Sequence, residues 1–336
     1  MELDAAGLAI PAVDGDLVGR PGGYRHGDQA GVAAAALVVR GAQAWLAQAR
    51  AYSPPGADAA YDQATMLRLA HGLLAQNPGR LAAIGVSFGG PVDAGRGIVR
   101  LSHHVPGWEE TPLRDRLQAE FGVPAAVDND ANIAAFGEWR FGAGQGCDSL
   151  LYVTVSTGIG GGWVLGGRVY SGADGMAGEI GHIVVRPGGA PCVCGKRGCL
   201  EAEACGPAIA RAAQERLAQE PEAGAVLRAR AGGRGDAVTA QHVAEAAAAG
   251  DALAAEVLAA AAQALGAGLG GAINLMNPER VVLGGGVTKS GDRWWQIVRE
   301  TARGHVLPQT RVEIAPAALG DDAPLWGAIG LAETHA

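Results

Sequence analysis

The order of hydrophobic and polar positions predicts strands and helices that alternate along the chain. Residues 31–49 alternate apolar and small side chains as a pair of strands does, and residues 61–76 space their apolar side chains as an amphipathic helix does. An apolar strand at 81–87 follows directly and runs into Gly89 and Gly90. Glycines in such a turn let the backbone approach a ligand closely.

The second half of the chain continues this pattern. Apolar strands at 125–127 and 281–283 end in polar or glycine-rich turns. Strand-like segments at 150–155 and 162–169 flank a glycine cluster, and residues 207–276 are mostly helical in pattern.

The alternation predicts a mixed α/β fold with two lobes and a cleft between them, because polar and glycine-rich turns follow strands in both halves. One lobe would comprise residues 1–122 and a C-terminal helix at about 320–336, and the other lobe residues 123–319. Residues 1–30 mix Gly, Pro and Asp and predict no strand.

The charge of the chain argues against a nucleic-acid partner, and its apolar pattern argues against a membrane partner. The 336 residues carry a formal net charge of −8 and contain no dense run of Lys or Arg, which a polyanion-binding protein needs. No uninterrupted apolar run reaches the ~20 residues of a membrane-spanning helix, and the acidic start lacks the basic region of a signal peptide. We therefore expect a cytoplasmic protein.

One imidazole and three thiols lie within a short, glycine-rich segment. His182, Cys192, Cys194 and Cys199 match the Cys₃His donor set that Zn²⁺ prefers, and the glycines between them allow the loop to fold back on itself. Four protein ligands would close the coordination sphere, so the predicted zinc in this loop (residues 182–199) is structural. The alternative is three buried or free thiols and a core histidine.

Three carboxylates are candidates for binding or catalysis: two flank the cysteine loop and one lies in a strand-to-helix turn. Glu179 and Glu201 flank the cysteine loop, where a metal would hold them rigidly enough to accept hydrogen bonds from sugar hydroxyls; a solvated surface charge is the alternative for each. Asp130 follows Asn129 in a strand-to-helix turn, where it could cap the helix or act as a general base for a hydroxyl.

A glycine cluster runs from Thr157 to Gly162 and includes Gly158 and Gly160. Its backbone N–H groups could form an anion site for triphosphate oxygens, and the alternative is a tight hairpin. The cluster is neither a Walker loop nor a dinucleotide fingerprint, because it lacks the Gly-Lys-Ser/Thr of the first and the glycine spacing of the second.

Taken in order, these motifs resemble the ROK family of repressors and sugar kinases, which belongs to the actin-like (RNase H-like) ATPase superfamily. The matching segments are Gly85-Val-Ser-Phe-Gly-Gly-Pro-Val-Asp93, Val105-Pro-Gly-Trp108, Asp128-Asn-Asp-Ala-Asn132, Thr157-Gly-Ile-Gly-Gly-Gly162, Gly178-Glu-Ile-Gly-His182, Cys192-Val-Cys-Gly-Lys-Arg-Gly-Cys-Leu-Glu201, Val282-Leu-Gly-Gly-Gly286 and Leu319-Gly-Asp-Asp-Ala323. The cysteine loop is the most specific of them.

The resemblance implies a two-lobed, glucokinase-like hexose kinase that uses ATP with Mg²⁺, carries a structural Zn²⁺ and forms a homodimer or a higher homo-oligomer. It implies Asp130 as the catalytic base. The implied sugar contacts are Gly89, Gly90, Asn129, Glu179, His182 and Glu201. The implied nucleotide contacts are Thr157, Gly158 and Gly160 at the phosphates, and Gly285 and Gly286 at the adenosine.

The chain departs from the family pattern at two places. Kinases of this family carry an Asp-x-Gly-Gly-Thr phosphate turn between the first two strands, and the nearest stretches here, at Asp14 and Asp28, lack the threonine. His104 stands where many relatives have Asn, and its imidazole could still hydrogen-bond the sugar or simply pack. The missing turn would weaken Mg²⁺-ATP binding, because it removes an oxygen ligand and amide donors.

Three functions are therefore compared. The first is an ATP-dependent hexose kinase, and the second is a sugar-binding protein with little or no catalysis. The third is a transcriptional repressor of the same family, which needs a helix-turn-helix domain ahead of the sugar lobes. The short segment before residue 31 is neither long nor basic enough for that module, so we expect a kinase.

Overall fold

A computed structural model describes residues 6–13, 32–39, 42, 44–102 and 105–335, and these residues form both strands and helices. The strands are β1 Ala6–Val13, β2 Val32–Val39, β3 Ala47–Tyr52, β4 Leu81–Phe88, β5 Val92–Asp93, β6 Ile98–Val99, β7 Ala125–Asn129, β8 Ser149–Val155, β9 Ile159–Leu165, β10 Arg168–Tyr170, β11 Arg280–Gly284 and β12 Glu313–Pro316. The helices are α1 Ala59–Gln76, α2 Leu113–Phe121, α3 Asp130–Phe141, α4 Leu200–Ala204, α5 Gly206–Gln219, α6 Ala225–Arg230, α7 Ala240–Ala248, α8 Ala252–Met276, α9 Asp292–His305 and α10 Ala323–Glu333. The predicted α/β class is confirmed.

The chain divides into two compact units. The first comprises Met1–Tyr152, Gly162–Gly178 and Ala317–Ala336, and the second comprises Val153–Gly161 and Glu179–Pro316. This division differs from the boundary expected at residue 122. The reason is that β7 pairs in parallel with β4, so the strand that leads to Asp130 belongs to the sheet of the first unit.

The first unit contains a sheet of order β3-β2-β1-β4-β7. β2 pairs antiparallel with β1 and β3, while β1 pairs in parallel with β4. The sequence pattern did not predict β1. This strand contains Pro11, which has no backbone N–H to donate, and its register with β2 skips Ile10 and Pro11.

Strand β2 shows how one sheet is covered on both faces. Ala34, Ala36 and Val38 pack in a cluster with α3 and α10. The intervening Ala35 and Leu37 pack in a second cluster with α1 and α2. Because successive side chains of a strand point to opposite faces, an all-apolar β2 is what a sheet buried on both sides requires.

The second sheet has the order β10-β9-β8-β11-β12, and β11 pairs in parallel with β12. Helix α8 is a core helix of the second unit and packs along α9. By length and composition alone α8 could cross a membrane, and 56% of its most apolar window is buried in the protein. Packing against its neighbours therefore accounts for its apolar character.

Replacing Gly327 by Ala tests the close packing of α3 on α10. A Cβ at position 327 would lie 1.8 Å from the carbonyl oxygen of Ile133, a backbone atom of α3. We expect Gly327→Ala to lower the free energy of unfolding by about 1–3 kcal/mol, as overpacked cores do. Urea titration followed by circular dichroism measures the change.

The matched control is Gly72→Ala in α1, where a Cβ would have no atom within 4 Å. This variant should be neutral or more stable by up to about 1 kcal/mol, because Ala favours the helix over Gly. Equal effects of the two substitutions would contradict the packing argument.

Candidate functional site

In the first unit, the turn that carries Asp130 is held by the residue before it. β7 ends at Asn129 and α3 begins at Asp130. The side-chain oxygen of Asn129 accepts hydrogen bonds from the backbone N–H groups of Ala131 at 3.0 Å and Asn132 at 3.4 Å, which makes Asn129 the N-cap of α3. The strand-to-helix turn predicted from sequence is confirmed, and Asp130 lies in the first turn of the helix.

The same Asn129 amide brings two of the predicted sugar-contact positions together. Its Nδ2 donates a hydrogen bond to the carbonyl oxygen of Gly90 at 3.0 Å. Gly90 has a φ of +149°, and a Cβ there would lie 2.8 Å from the carbonyl oxygen of Leu101. The position therefore excludes a side chain, and the Gly90 backbone approaches the turn that carries Asp130.

The sequence analysis gave no role to Asp128, whose buried carboxylate stabilises this turn by two hydrogen bonds, together called the Asp128 clamp. Its carboxylate is 6% exposed and accepts hydrogen bonds from the Asn129 N–H at 2.6 Å and from Asn132 Nδ2 at 3.2 Å. Burial raises the pKa of Asp128 above its ordinary value, and the two hydrogen bonds oppose that rise. Asp128 thus holds the turn at an electrostatic cost.

A second buried carboxylate, Asp62 of α1, anchors the Pro-Gly-Trp segment. It accepts hydrogen bonds from Ser53 Oγ at 2.6 Å and from Trp108 Nε1 at 3.4 Å, and Trp108 is 1% exposed. The sequence analysis missed Asp62. The available signal was its place on the buried face of α1, in helical spacing with Met66 and Leu69.

Two sequence predictions fall outside the described residues. His104, a predicted sugar contact, is one of them. The other is the segment around Asp14 and Asp28, which joins β1 to β2 in the chain. Both remain predictions.

In the second unit, the four predicted metal ligands converge. The donor atoms of His182, Cys192, Cys194 and Cys199 all lie within 4.8 Å of one another. Cys192 Sγ is 3.6 Å from His182 Nδ1, and Cys194 Sγ is 3.6 Å from Cys199 Sγ. A tetrahedral ion with bonds of about 2.3 Å places its ligand atoms roughly 3.8 Å apart, so the cluster fits a metal.

The thiols of this cluster need a cation to be ionised together. Burial, and after it the hydrogen bonds to the neighbouring thiols, raise the pKa of Cys199 to about 12. The backbone N–H of Lys196 lowers the pKa of Cys194. Three close thiolates repel one another, and a bound dication would offset that repulsion.

Glu203, which the sequence analysis missed, stabilises the predicted metal-binding loop (residues 182–199). Its side chain is 9% exposed. It accepts a hydrogen bond from the Ala190 N–H at 2.7 Å and one from Arg186 at 3.2 Å. A Cβ at Gly189 would lie 2.2 Å from Glu203 Oε1, so the glycine admits the carboxylate.

The two predicted sugar-binding carboxylates of this unit differ in their surroundings. Glu179 Oε2 lies 3.8 Å from Nε2 of His182, the ring nitrogen opposite the one that faces Cys192, and the Glu179 side chain is 51% exposed. Glu201 instead accepts a hydrogen bond from the backbone N–H of Ile159 at 3.0 Å. The Glu179 carboxylate and the Nε2 side of the His182 ring therefore lie side by side.

The glycine cluster at 157–162 is shorter as a loop than the sequence suggested. β8 ends at Val155 and β9 begins at Ile159, so the turn is only Ser156 to Gly158 and Gly160 already lies in a strand. The tight hairpin is therefore present, and the amide of Ile159 is bonded to Glu201 rather than left bare. The anion site that we predicted has fewer amide donors than a six-residue loop would offer.

The glycine turn after β11 lies against this hairpin. Gly285 has a φ of +89°, and a Cβ there would lie 2.4 Å from the carbonyl oxygen of Val155. The structure thus brings together the two segments predicted to bind nucleotide. Thr288 Oγ1 donates to the carbonyl oxygen of Gly285 at 2.7 Å, and Trp295 Nε1 donates to that of Thr288 at 2.9 Å, which fixes the shape of the turn.

Comparison with known proteins gives consistent matches. The model of the ROK family matches residues 28–335. A glucokinase of Halalkalibacterium halodurans is 42% identical over 249 residues, which are 73% of this chain and 74% of that protein. The crystal structure of a ROK family glucokinase from Streptomyces griseus, in complex with glucose and AMPPNP, superposes with a TM-score of 0.78 at 32% identity, covering 98% of this chain and all of that one.

A xylose repressor of Bacillus spizizenii is more distant. It is 28% identical over 262 residues, which are 77% of this chain and 63% of the repressor.

Replacing Asp128 by Asn tests the electrostatic cost of the clamp. The folded-state pKa of Asp128 is raised, so its contribution to stability is fully present below the unfolded pKa of about 3.9 and is lost as the pH rises through the folded pKa. Asn keeps the acceptor oxygen and does not titrate. The stability of Asp128→Asn relative to the parent should therefore increase from pH 4 to pH 8.

Urea titrations at pH 4, 6 and 8 measure this difference. Asp115→Asn, at a carboxylate whose side chain is 62% exposed, controls for the loss of one negative charge. A stability difference for Asp128→Asn that does not change with pH would show that the carboxylate carries no such cost.

Proposed function

Because the chain belongs to the ROK family, we propose that it transfers a phosphoryl group from ATP to a hexose. The family that the sequence motifs predicted is thereby confirmed. The observation that carries the proposal is the 42% identity to a glucokinase over most of both chains. The ROK glucokinase of Streptomyces griseus, which matches along nearly the whole fold, supports it.

In the proposed reaction, Asp130 is the general base. A hexose hydroxyl oxygen attacks the γ-phosphorus, the bond from that phosphorus to the bridging oxygen breaks, ADP leaves, and the hydroxyl proton passes to the Asp130 carboxylate. The N-terminal position of Asp130 on α3 is fixed by the Asn129 cap and the Asp128 clamp. Mg²⁺ bound with ATP would neutralise charge on the phosphates.

The remaining predicted residues are proposed to hold the two substrates. The proposed sugar contacts are Gly89, Gly90, His104, Asn129, Glu179, His182 and Glu201. Carboxylates and an imidazole suit this role, because sugar hydroxyls both donate and accept hydrogen bonds. Thr157, Gly158, Gly160, Gly285 and Gly286 are the proposed nucleotide contacts.

The metal in the Cys₃His cluster is proposed to be a structural Zn²⁺. Three thiolates and one imidazole are the donors that Zn²⁺ prefers, and four ligands leave no position for a reactive water. The ion would fix His182 and the loop that leads into Glu201. We also propose a cytoplasmic, homo-oligomeric enzyme that uses no nucleic-acid or membrane partner.

A sugar-binding protein with little catalysis is the second candidate, because the chain lacks a recognisable Asp-x-Gly-Gly-Thr turn. The match to the family model begins at Asp28, which starts one of the two stretches that come nearest to this motif. An ADP-release assay across glucose, N-acetylglucosamine, mannose and fructose decides between the two. Hexose binding in calorimetry without ADP release would favour the second candidate.

Asp130→Asn should separate binding from chemistry. Loss of a general base lowers turnover by about 10²–10⁴, whereas hexose affinity should stay within about tenfold because the other sugar contacts remain. Steady-state kinetics and calorimetry with glucose measure the two effects. The control Asp115→Asn should leave both unchanged, and undiminished turnover in Asp130→Asn would remove the residue from this role.

Metal analysis should find close to one zinc per chain. Cys194→Ser should lose the metal and much stability, since structural zinc supplies ~10–16 kcal/mol of apparent binding energy in small domains and a smaller share of stability in larger ones. The control Cys147→Ser removes a buried thiol outside the cluster and should retain the metal. A metal-free parent that is fully stable and binds hexose would contradict the proposal.

A further inference from the structure

Two segments that carry proposed sugar contacts both approach Ile159, a residue of the β8–β9 hairpin that is proposed to bind nucleotide. The backbone N–H of Ile159 donates to Glu201 Oε2 at 3.0 Å. At the other end of the same residue, a Cβ on Gly181 would lie 2.1 Å from the Ile159 carbonyl oxygen. Ile159, which is 4% exposed, is therefore held at its N–H by Glu201 and contacted at its carbonyl by the turn between Glu179 and His182.

The segment that carries Glu201 holds both ends of the hairpin turn. Ile159 directly follows the turn Ser156 to Gly158. At the other end of the turn, the N–H of Gly206 donates to the Ser156 carbonyl oxygen at 2.7 Å. Glu201 lies in α4 and Gly206 begins α5 immediately after it. The conformation of the turn is thus tied to the position of α4.

Gly158 makes the contact with the carboxylate possible. A Cβ at position 158 would lie 2.8 Å from Glu201 Oε2, inside the closest approach of real Cβ atoms. The contact with Glu201 is therefore one reason for glycine at this position, in addition to any contact with phosphate. A side chain there would force the end of the Glu201 side chain to shift, away from its present contact with the Ile159 amide.

The two oxygens of Glu201 are placed for two partners. Oε2 accepts from Ile159, and among the described residues no hydrogen-bond donor to Oε1 is found. A carboxylate accepts through both oxygens, so Oε1 can accept from a hexose hydroxyl while Oε2 holds the hairpin.

From this geometry we infer that Glu201 couples hexose binding to nucleotide binding, a role that rests on the proposed function. A hexose that fixes Glu201 also fixes the Ile159 amide and the turn from Ser156 to Gly158. The nucleotide then binds to a turn that is already ordered, so hexose raises nucleotide affinity. By linkage the nucleotide raises hexose affinity by the same factor.

Calorimetry measures this coupling with glucose and the non-hydrolysable analogue Mg²⁺-AMPPNP. The dissociation constant of AMPPNP is determined with and without saturating glucose. For the parent protein we expect glucose to tighten AMPPNP binding at least ~5-fold, the lower end of ordinary allosteric couplings.

Gly158→Ala is the decisive variant, because it displaces the Glu201 carboxylate from Ile159 without removing it. Because Glu201 and Gly158 are themselves proposed sugar and nucleotide contacts, both affinities should weaken in this variant. The ratio of the two AMPPNP dissociation constants, measured at a glucose concentration that saturates the variant, should fall to near 1. The control Gly271→Ala in α8, where a Cβ meets no atom within 4 Å, should keep the ratio of the parent.

Amide hydrogen exchange gives an independent readout on the parent protein. Glucose alone should increase protection of the Ile159 N–H. The inference is overturned if both ligands bind the parent without coupling, if Gly158→Ala keeps the full ratio, or if glucose leaves Ile159 exchange unchanged. A parent that releases no ADP with any hexose would instead count against the kinase itself.

Discussion

Backbone atoms of neighbouring elements touch at glycines, and this contact fixes the parts of the first unit that carry chemistry. A Cβ at Gly327 of α10 would meet the Ile133 carbonyl of α3, and a Cβ at Gly85 of β4 would meet the Ala328 carbonyl of α10, each at 1.8 Å. Helix α10 therefore lies at backbone distance from both elements. Since α3 begins at Asp130, this packing fixes the axis of the helix that presents the proposed base.

Buried carboxylates also stabilise this arrangement, because they accept hydrogen bonds that join loops to the packed helices. Glu138 is 0% exposed and accepts hydrogen bonds from the backbone N–H groups of Ala143, Ala318 and Leu319. Asp251 in the same way joins the start of α6 to the start of α8. A buried charge without partners would be costly, and several amide donors satisfy each of these carboxylates.

The proposed site uses the same device, and there it bears on function. Asn129 and Asp128 accept hydrogen bonds from residues of the strand-to-helix turn, so the position of Asp130 is fixed by its neighbours. Glu201 and Glu203 lie on one short helix beside the Cys₃His cluster, and each accepts a backbone N–H from a segment outside that helix. The loop at residues 182–199 that is proposed to bind the metal, the proposed sugar contact Glu201 and the hairpin proposed to bind nucleotide are thus joined by hydrogen bonds within the second unit.

The sequence by itself determined the elements and clusters whose signals are local. Helix α1, strand β4 and the turn from β7 into α3 follow from the spacing of apolar and polar residues, and the predicted metal ligands follow from one His and three Cys in a short loop. Only the tertiary structure decided the central place of β1, the buried role of Asp62 and the bond from Glu201 to Ile159. These depend on partners distant in sequence, and no local pattern encodes which distant N–H group a carboxylate will meet.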